Sequence, residues 1–213
     1  PIHRGMGTTG VVGIVKGRDG GACGRGIGLR ADMDALPMQE FNTFAHASVH
    51  KGKMHACGHD GHTAMLLAAA KHIAHKAEFS GTVNLIFQPA EEGLGGAKKM
   101  MEDGLFQQFP CDAVFGMHNM PGHPQGQLVF RDGPAMASSD HVTIVIEGTG
   151  GHGAVPHRAA DPVVAGSAIV MGLQSIVARN VDPQEMAIIT VGAFNAGVAN
   201  NVIPQQATLK LSV

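Results

Sequence analysis

The segment from Met54 to His62 holds the densest group of chemically active side chains in the sequence. It reads MHACGHDGH and contains one thiol, three imidazoles and a carboxylate just before a run of helix-forming residues. Cys57 and His59 are two positions apart, so their side chains would point to the same side of an extended segment. A thiolate and a neutral imidazole directed at one point form half of a metal site, and zinc or a similar divalent ion suits them. Further donors have to come from elsewhere in the chain.

Two adjacent carboxylates, Glu91 and Glu92, follow an apolar run and are bounded by a proline and a glycine. Neighbouring side chains in extended backbone diverge, so one carboxylate can bind a metal while the other faces the attacking water. Hydrolysis with a metal needs both roles. An isolated pair of this kind is more often a solvated acidic loop. His118 follows the apolar run at 113–117 and offers another nitrogen, or else is a hydrogen-bonded histidine at a strand end.

Other assignments remain open for the residues around this group. Asp32 and Asp34 can orient a ligand imidazole, or can cap a turn. Cys57 is a metal ligand, a buried thiol, or a nucleophile with His59 as its base. Its position just before a helix N-terminus predicts a lowered pKa, which favours the two thiolate roles.

A glycine-rich loop at 148–157, GTGGHGAVPH, presents two histidines in the second half of the sequence. It lacks the Lys-Ser/Thr pair of a P-loop, so phosphate binding is weakly indicated. An imidazole on a mobile glycine hinge suits a hydrogen bond to a developing oxyanion or to a substrate carboxylate. The alternative is a structural turn in which only the glycines matter. Asn201 lies in a further loop, where it meets a carbonyl or caps a turn.

Strand-like and helix-like segments alternate through residues 1–136. This alternation predicts an α/β domain with a mostly parallel sheet covered on both faces. Ligands bind beyond the carboxyl ends of such strands. The polar clusters all follow strands, so they are expected at one edge of one sheet. The predicted strands are 11–15, 26–29, 83–87 and 113–117, and the predicted helices are 60–76 and 96–103.

Residues 137–213 have a different pattern, with a strand at 141–147, a helix at 161–179, and strands at 187–194 and 207–213. A β-α-β-β order begins a ferredoxin-like α+β sandwich, which needs one more helix and strand. The sequence therefore predicts two domains, 1–136 and 137–213, each incomplete. The chain has no initiator methionine and stops on a strand, so we expect a fragment.

Composition excludes several function classes. The net charge of −2 and the pI near 6.7 give no bias towards nucleic acid or an anionic membrane. No signal peptide opens the chain, and no apolar run approaches membrane-spanning length. The three cysteines are an odd number and widely spaced, which fits a reducing compartment and predicts a cytoplasmic protein.

Taken together, these motifs resemble the M20 metallopeptidase superfamily, and within it the amidohydrolase branch that includes hippurate hydrolases and auxin-conjugate hydrolases. The resemblance extends from about Gly7 to Val213. Six ordered motifs make a chance similarity improbable. They are ADMDALPMQE at 31–40, MHACGHDGHTAMLLAAAK at 54–71, FQPAEEG at 87–93, GMHN at 116–119, GGHGAVPH at 150–157 and NVIP at 201–204.

This resemblance implies roles for individual residues. A pair of divalent ions, Mn²⁺ or Zn²⁺, would be bound by four residues, with Glu91 as general base and Asp34 supporting the metal cluster. His152 would reach the partner's active site in a homodimer formed through the lid domain and polarise the scissile carbonyl, and Asn201 would lie near the substrate. The substrate would be a small N-acyl amino acid. The implied metal ligands are Cys57, His59, Glu92 and His118.

The sequence also departs from the family pattern. The family's catalytic domain closes with a segment that carries one more ligand histidine, and this chain ends before it. Asn195 stands where other polar residues are expected, which leaves substrate preference open. Two alternatives to amide hydrolysis therefore stand: a non-catalytic truncated fragment or dimerising module, and a metal-independent thiol hydrolase that uses Cys57.

Overall fold

The chain forms two units, Pro1–Gln127 and Leu128–Val213, each with its own sheet. The structure is a computed structural model that describes residues 1–76 and 78–213. In the first unit, the strands are β1 (Ile2–Met6), β2 (Gly10–Lys16), β3 (Gly26–Asp32), β4 (Thr82–Gln88) and β5 (Ala113–Gly116), and the helices are α1 (His59–Lys76), α2 (Gly96–Glu102) and α3 (Leu105–Gln108).

The sheet of the first unit is mixed, with strand order β1-β2-β4-β3-β5. The α/β class is as predicted, but the prediction of a mostly parallel sheet is wrong. β3 is parallel to β4 and β5, whereas β1–β2 and β2–β4 are antiparallel. β1 was not predicted because His3 and Arg4 interrupt its apolar pattern. A tight turn at Gly7 and Thr8, both at positive φ, returns the chain directly into β2, and such a short connection forces antiparallel pairing.

Both faces of this sheet are covered, because the central strand β4 buries residues on either side. Val83, Leu85 and Phe87 pack in the cluster that includes Leu66 of α1. Ile86 packs on the other side with Met100 and Leu105, which belong to α2 and α3. Alternate residues of a strand face opposite ways, so β4 anchors the helices of both faces.

The three parallel strands end at one edge of the sheet. Asp32 of β3 is paired with Gln88 of β4, and Arg30 of β3 is paired with Gly116 of β5. Helix α1 connects β3 to β4 and begins at His59, at this same edge. The register therefore places the segments that follow each strand beside the first turn of α1.

The second unit is built on a three-stranded antiparallel sheet. In it β10 (Gln206–Ser212) lies between β6 (His141–Glu147) and β8 (Thr190–Ala196). Helix α4 packs on it where Gly166 approaches Phe194 and Ile146, since a Cβ at Gly166 would lie 2.8 Å from the Phe194 ring. The β-α-β-β order is the one predicted. The additional helix and strand of a complete ferredoxin-like sandwich stay a prediction. The elements are β6 (His141–Glu147), β7 (Gly151–His152), a 3₁₀ helix (Pro156–Arg158), α4 (Pro162–Asn180), β8 (Thr190–Ala196), β9 (Val202–Ile203) and β10 (Gln206–Ser212).

Helix α4 is long and apolar enough, by length and composition alone, to cross a membrane. The expectation that no segment approaches this length was wrong, because Gly, Ser and Gln residues interrupt the apolar runs without making the helix polar. One such helix is weak evidence for a membrane protein, since core helices pass the same test. The predicted cytoplasmic location stays a prediction.

Candidate metal centre

His59 lies at the centre of the polar cluster at the sheet edge. Its side chain is 1 % exposed, and its Nδ1–H donates a hydrogen bond to the backbone oxygen of Asp34 over 3.0 Å. This bond leaves the lone pair on Nε2. Nε2 is buried and has no hydrogen-bond partner among the described residues. A buried polar nitrogen without a partner is costly, and a metal ion would satisfy it.

The donor atoms implied by the sequence surround this nitrogen. The sulfur of Cys57 lies 3.5 Å from Nε2 of His118, and Oε1 of Glu92 lies 3.9 Å from Nε2 of His59. His59 belongs to three groups whose donor atoms all lie within 4.8 Å of one another: one with Cys57 and His118, one with Glu91 and Glu92, and one with Asp32 and His62. The structure thus brings together the four predicted ligands and the predicted base.

Asp34, two residues after the end of β3, supports this cluster. Its Oδ2 accepts a hydrogen bond from the backbone N–H of Glu92 over 3.0 Å, and its Oδ1 lies 3.3 Å from Nδ1 of His59. Burial raises the pKa of Asp34, but the backbone N–H groups of Glu92 and Glu91 outweigh that effect and hold it below its ordinary value. Asp34 therefore links the His59 ring, through its backbone oxygen, to the loop that carries the two glutamates, through its ionised carboxylate.

The loop between β4 and α2 carries Glu91 and Glu92 on a constrained backbone. Ala90 has a φ of 53°, a left-handed conformation that non-glycine residues rarely adopt. Gly96 is required because a Cβ there would lie 1.7 Å from the Pro89 oxygen. Such backbone strain costs on the order of 1–3 kcal/mol and is found where the surrounding structure fixes the conformation.

The electrostatic environment of Cys57 differs from the expectation. A helix N-terminus was expected to lower its pKa, but burial and the carboxylates of Glu92, Glu91 and Asp32 raise it above the ordinary value of 9.0. A free thiolate nucleophile is therefore disfavoured, whereas a thiolate neutralised by a bound cation is not.

Asp32 lies beside the His59 ring, with its Oδ2 3.7 Å from Nε2 of His59, and its two sequence alternatives stay predictions. Its Oδ1 accepts a hydrogen bond from Nδ1 of His62 over 2.6 Å, and its Oδ2 pairs with Nη1 of Arg30 over 2.8 Å. Burial raises the pKa of Asp32, but the hydrogen bond with His62 and the charge of Arg30 lower it by more. The pKa of Asp32 therefore lies below its ordinary value. His62 was not assigned a role from the sequence. Its spacing of three residues from His59 on one helix is the signal that could have indicated one.

In the second unit, the predicted lid residues are close to one another. Strand β7 pairs with β9, which sets His152 opposite Val202, and the N–H of Gly153 donates to the oxygen of Asn201 over 2.8 Å. His152 is exposed, and its Nδ1 accepts a hydrogen bond from the N–H of Ala154 over 3.1 Å. The glycine-rich segment is therefore a hydrogen-bonded ribbon rather than a free hinge.

The residues at the sheet edge fit a divalent metal centre. They offer a thiol, two imidazoles and carboxylates, which are the donor types that zinc accepts. Nδ1 of His118 donates to the oxygen of Asn119 over 2.7 Å, so Nε2 of this ring also carries a lone pair. Both histidines thus present the nitrogen that a metal needs, held by a hydrogen bond at the other nitrogen.

The chain belongs to peptidase family M20/M25/M40, whose sequence pattern matches residues 28–208. It is 54 % identical over 212 residues to a hippurate hydrolase of Campylobacter jejuni, covering 100 % of this chain and 54 % of that protein. It is 50 % identical over 184 residues to IAA-amino acid hydrolase ILR1-like 2 of Arabidopsis thaliana, covering 86 % of this chain and 42 % of that protein. The chain spans about half the length of the curated relatives it matches.

A solved structure gives the same assignment. The YXEP protein of Bacillus subtilis, a dinuclear metal-binding peptidase from the M20 family, has a TM-score of 0.64 and 38 % sequence identity. The match covers 100 % of this chain and 53 % of that chain. At this identity the likeness extends beyond the fold to the family.

Proposed function

We propose that the protein of which this chain is part hydrolyses the amide bond of N-acyl amino acids with a pair of divalent metal ions, Mn²⁺ or Zn²⁺. The observation that carries the proposal is the convergence of thiol, imidazole and carboxylate donors on the buried, unpartnered Nε2 of His59. Membership of the M20 family and similarity to hydrolases of hippurate and of IAA-amino acids support the substrate class.

In this proposal the ligands are Cys57, His59, Glu92 and His118. When bound, the two ions would supply Lewis-acid activation of water and polarise the substrate carbonyl. Asp34 keeps the His59 ring in the orientation that directs Nε2 into the centre.

Glu91 moves the proton. It is exposed, and its carboxylate lies within 4.8 Å of the donor atoms of His59 and Glu92. In the proposed reaction, Glu91 accepts a proton from the attacking water as oxygen bonds to the carbonyl carbon. It then returns the proton to the nitrogen of the leaving amine as the C–N bond breaks. One carboxylate thus serves as base and then as acid.

The proposal includes the second unit. His152 would donate a hydrogen bond to the carbonyl oxygen of the substrate in a homodimer, and Asn201 would contact the substrate. The exposed His152 ring and its closeness to Asn201 across the β7–β9 ribbon support this part.

The proposed function is tested by Glu91→Gln in the full-length protein. Loss of the proton acceptor is expected to lower kcat/KM for an N-acyl amino acid such as hippurate by about 10²–10⁴-fold. The metal content, measured by mass spectrometry, should be unchanged. Glu102→Gln is the matched control, because Glu102 is an exposed glutamate on α2.

Two results would contradict this proposal. One is wild-type turnover in Glu91→Gln. The other is full activity after metal removal by a chelator, together with inactivation by alkylation of Cys57, which would favour the metal-independent thiol hydrolase. Return of activity on adding Mn²⁺ or Zn²⁺ after chelation is the expected result.

A further inference from the structure

His62 is a buried histidine on the same face of α1 as His59, and the proposed reaction gives it no role. It is 2 % exposed. Its Nδ1–H donates to Oδ1 of Asp32 over 2.6 Å, and the other oxygen of Asp32 is held by Arg30. Since Asp32 is fixed between two partners, the His62 ring is fixed as well.

Asn119 connects this ring to His118. The backbone N–H of Asn119 donates to Nε2 of His62 over 3.1 Å, and its side-chain Oδ1 lies 2.7 Å from the same nitrogen. The backbone oxygen of Asn119 accepts the hydrogen bond from Nδ1 of His118 over 2.7 Å. With its proton on Nδ1, the His62 ring meets Asn119 through Nε2, so Asn119 lies between the buried ring and the imidazole that faces Cys57.

Gly58 packs closely against the side chain of Asn119. Its φ is +85°, and a Cβ built there would lie 2.4 Å from both Oδ1 and Nδ2 of Asn119. The Asn119 amide therefore occupies the space that a side chain at Gly58 would need. The oxygen of Gly58 also accepts a hydrogen bond from the backbone N–H of His62 over 3.0 Å. The turn that carries Cys57 and the loop that carries His118 interlock at this point.

We propose that His62 and Asn119 are positioning residues that hold the His118 imidazole beside the Cys57 thiol, an inference that rests on the proposed metal centre. Neither residue would touch the metal. Asn119 orients His118 through its backbone oxygen, and His62 fixes Asn119 through its ring. Residues that orient metal ligands in this way typically change metal affinity by about 10–100-fold when they are replaced.

The test compares His62→Ala, Asn119→Ala and wild type in the full-length protein after metal removal. Zn²⁺ affinity is measured by competition with a chromophoric chelator, and the Co²⁺ form is recorded for its thiolate-to-cobalt absorption band. Both variants are expected to bind Zn²⁺ about 10–100-fold more weakly. Their cobalt band should be shifted or weakened, because Cys57 and His118 no longer meet in one fixed geometry.

His72→Ala is the matched control, since His72 is an exposed histidine on the same helix. It should leave the affinity and the cobalt spectrum unchanged. If His62→Ala fails to fold, as judged by circular dichroism of the metal-free protein, Asn119→Ala carries the test. That substitution keeps both backbone contacts and removes the side-chain amide that lies against Nε2 of His62 and against Gly58, so the loop that carries His118 is held less firmly.

A double substitution tests directly whether the packing of Gly58 against the Asn119 amide supports metal binding. Gly58→Ala should weaken Zn²⁺ binding through the clash with the Asn119 amide and through its positive φ. Adding Asn119→Ala removes the clash. The fold-loss of Zn²⁺ affinity in the double variant should therefore be smaller than the product of the fold-losses in the two single variants.

Two outcomes separate this inference from the function on which it rests. Wild-type affinity and an unchanged cobalt band in both His62→Ala and Asn119→Ala would overturn the positioning role and leave the metal centre standing. Absence of stoichiometric metal binding by the wild-type protein would overturn the metal centre, and the positioning role with it.

Discussion

At the residue scale, Cys57 shows how the cluster depends on a cation. Its sulfur lies among the carboxylates of Glu92, Glu91 and Asp32, which together with burial raise its pKa above 9.0. Without metal the thiol is therefore the stable form at neutral pH. A divalent ion reverses the balance, because it neutralises the carboxylates and displaces the thiol proton.

We predict that alkylation of Cys57 by iodoacetamide in the metal-free protein is slow at pH 7–8. An acid whose pKa is raised stays protonated to higher pH, so the rate should be low at neutral pH and should continue to rise with pH beyond 9.0, the ordinary pKa of the group. The measurement is the pH dependence of modification of each cysteine, followed by peptide mass spectrometry.

Cys23 is the internal control, because it is exposed and lies outside the centre. Loading the protein with Zn²⁺ should protect Cys57 and leave Cys23 reactive. Fast modification of Cys57 near pH 7 without metal would contradict the effect of the carboxylates and favour a nucleophilic cysteine.

The sequence predicted which residues assemble better than it predicted what holds them. Cys57 and His59 are recognisable because they are two donor types two residues apart just before a helix, and His118 because it follows a strand that ends at the same sheet edge. His62 and Asn119 are polar residues with distant partners. His62 contacts Asp32, which is 30 positions away, and Asn119, which is 57 positions away. Apart from the three-residue spacing between His59 and His62, nothing local distinguishes them from ordinary surface residues, since their contacts exist only once the sheet has formed.

At the scale of elements, the N-terminus of α4 shows how a local signal sets a boundary. The helix was expected to begin at Asp161. It begins at Pro162, and Asp161 caps it, because its Oδ1 accepts hydrogen bonds from the N–H groups of Val163 over 2.8 Å and Val164 over 3.4 Å. Asp161 thereby satisfies two backbone donors that the helix itself leaves free.

We predict that Asp161→Ala destabilises α4 by about 1 kcal/mol. The local effect should be faster amide hydrogen exchange at Val163 and Val164, measured by NMR or mass spectrometry. Asp132→Ala, an exposed residue of the same unit, should change neither. Unchanged exchange in Asp161→Ala would mean that packing on the sheet, rather than the cap, fixes the first turn.

The elements themselves were predicted more completely than their pairing. Strand β6 has the predicted bounds, and β4 differs by one residue at each end, because their apolar residues follow the strand period. The direction of the neighbouring strands was not predicted, because it depends on the turn at Gly7 and on the unrecognised strand β1. Propensity marks where a strand exists, whereas connections decide how it pairs.

At the scale of the whole molecule, the proposed metals should contribute to stability as well as to chemistry. A ligand that binds only the folded state at 100 times its Kd adds about 2.7 kcal/mol to the free energy of unfolding. We predict that metal-free protein melts about 5–10 °C below the reloaded protein.

Differential scanning fluorimetry of chelated and Zn²⁺-reloaded protein measures this difference. His118→Ala should remove most of the metal-dependent increase in Tm, while His123→Ala, a histidine further along the exposed segment, should retain it. Equal Tm values with and without metal in the wild type would mean that no tight metal site exists in the folded state.

The donors of the centre are far apart in the sequence. Cys57 and His118 are separated by 61 residues, and Asp34 and Glu92 by 58. During synthesis on the ribosome, a nascent chain that ends before His118 carries Cys57 and His59 but lacks the strand β5 that brings the next imidazole to them. The sheet must therefore form before these donors can bind the proposed metals together. Metal binding would thus occur only in molecules in which this unit has folded completely.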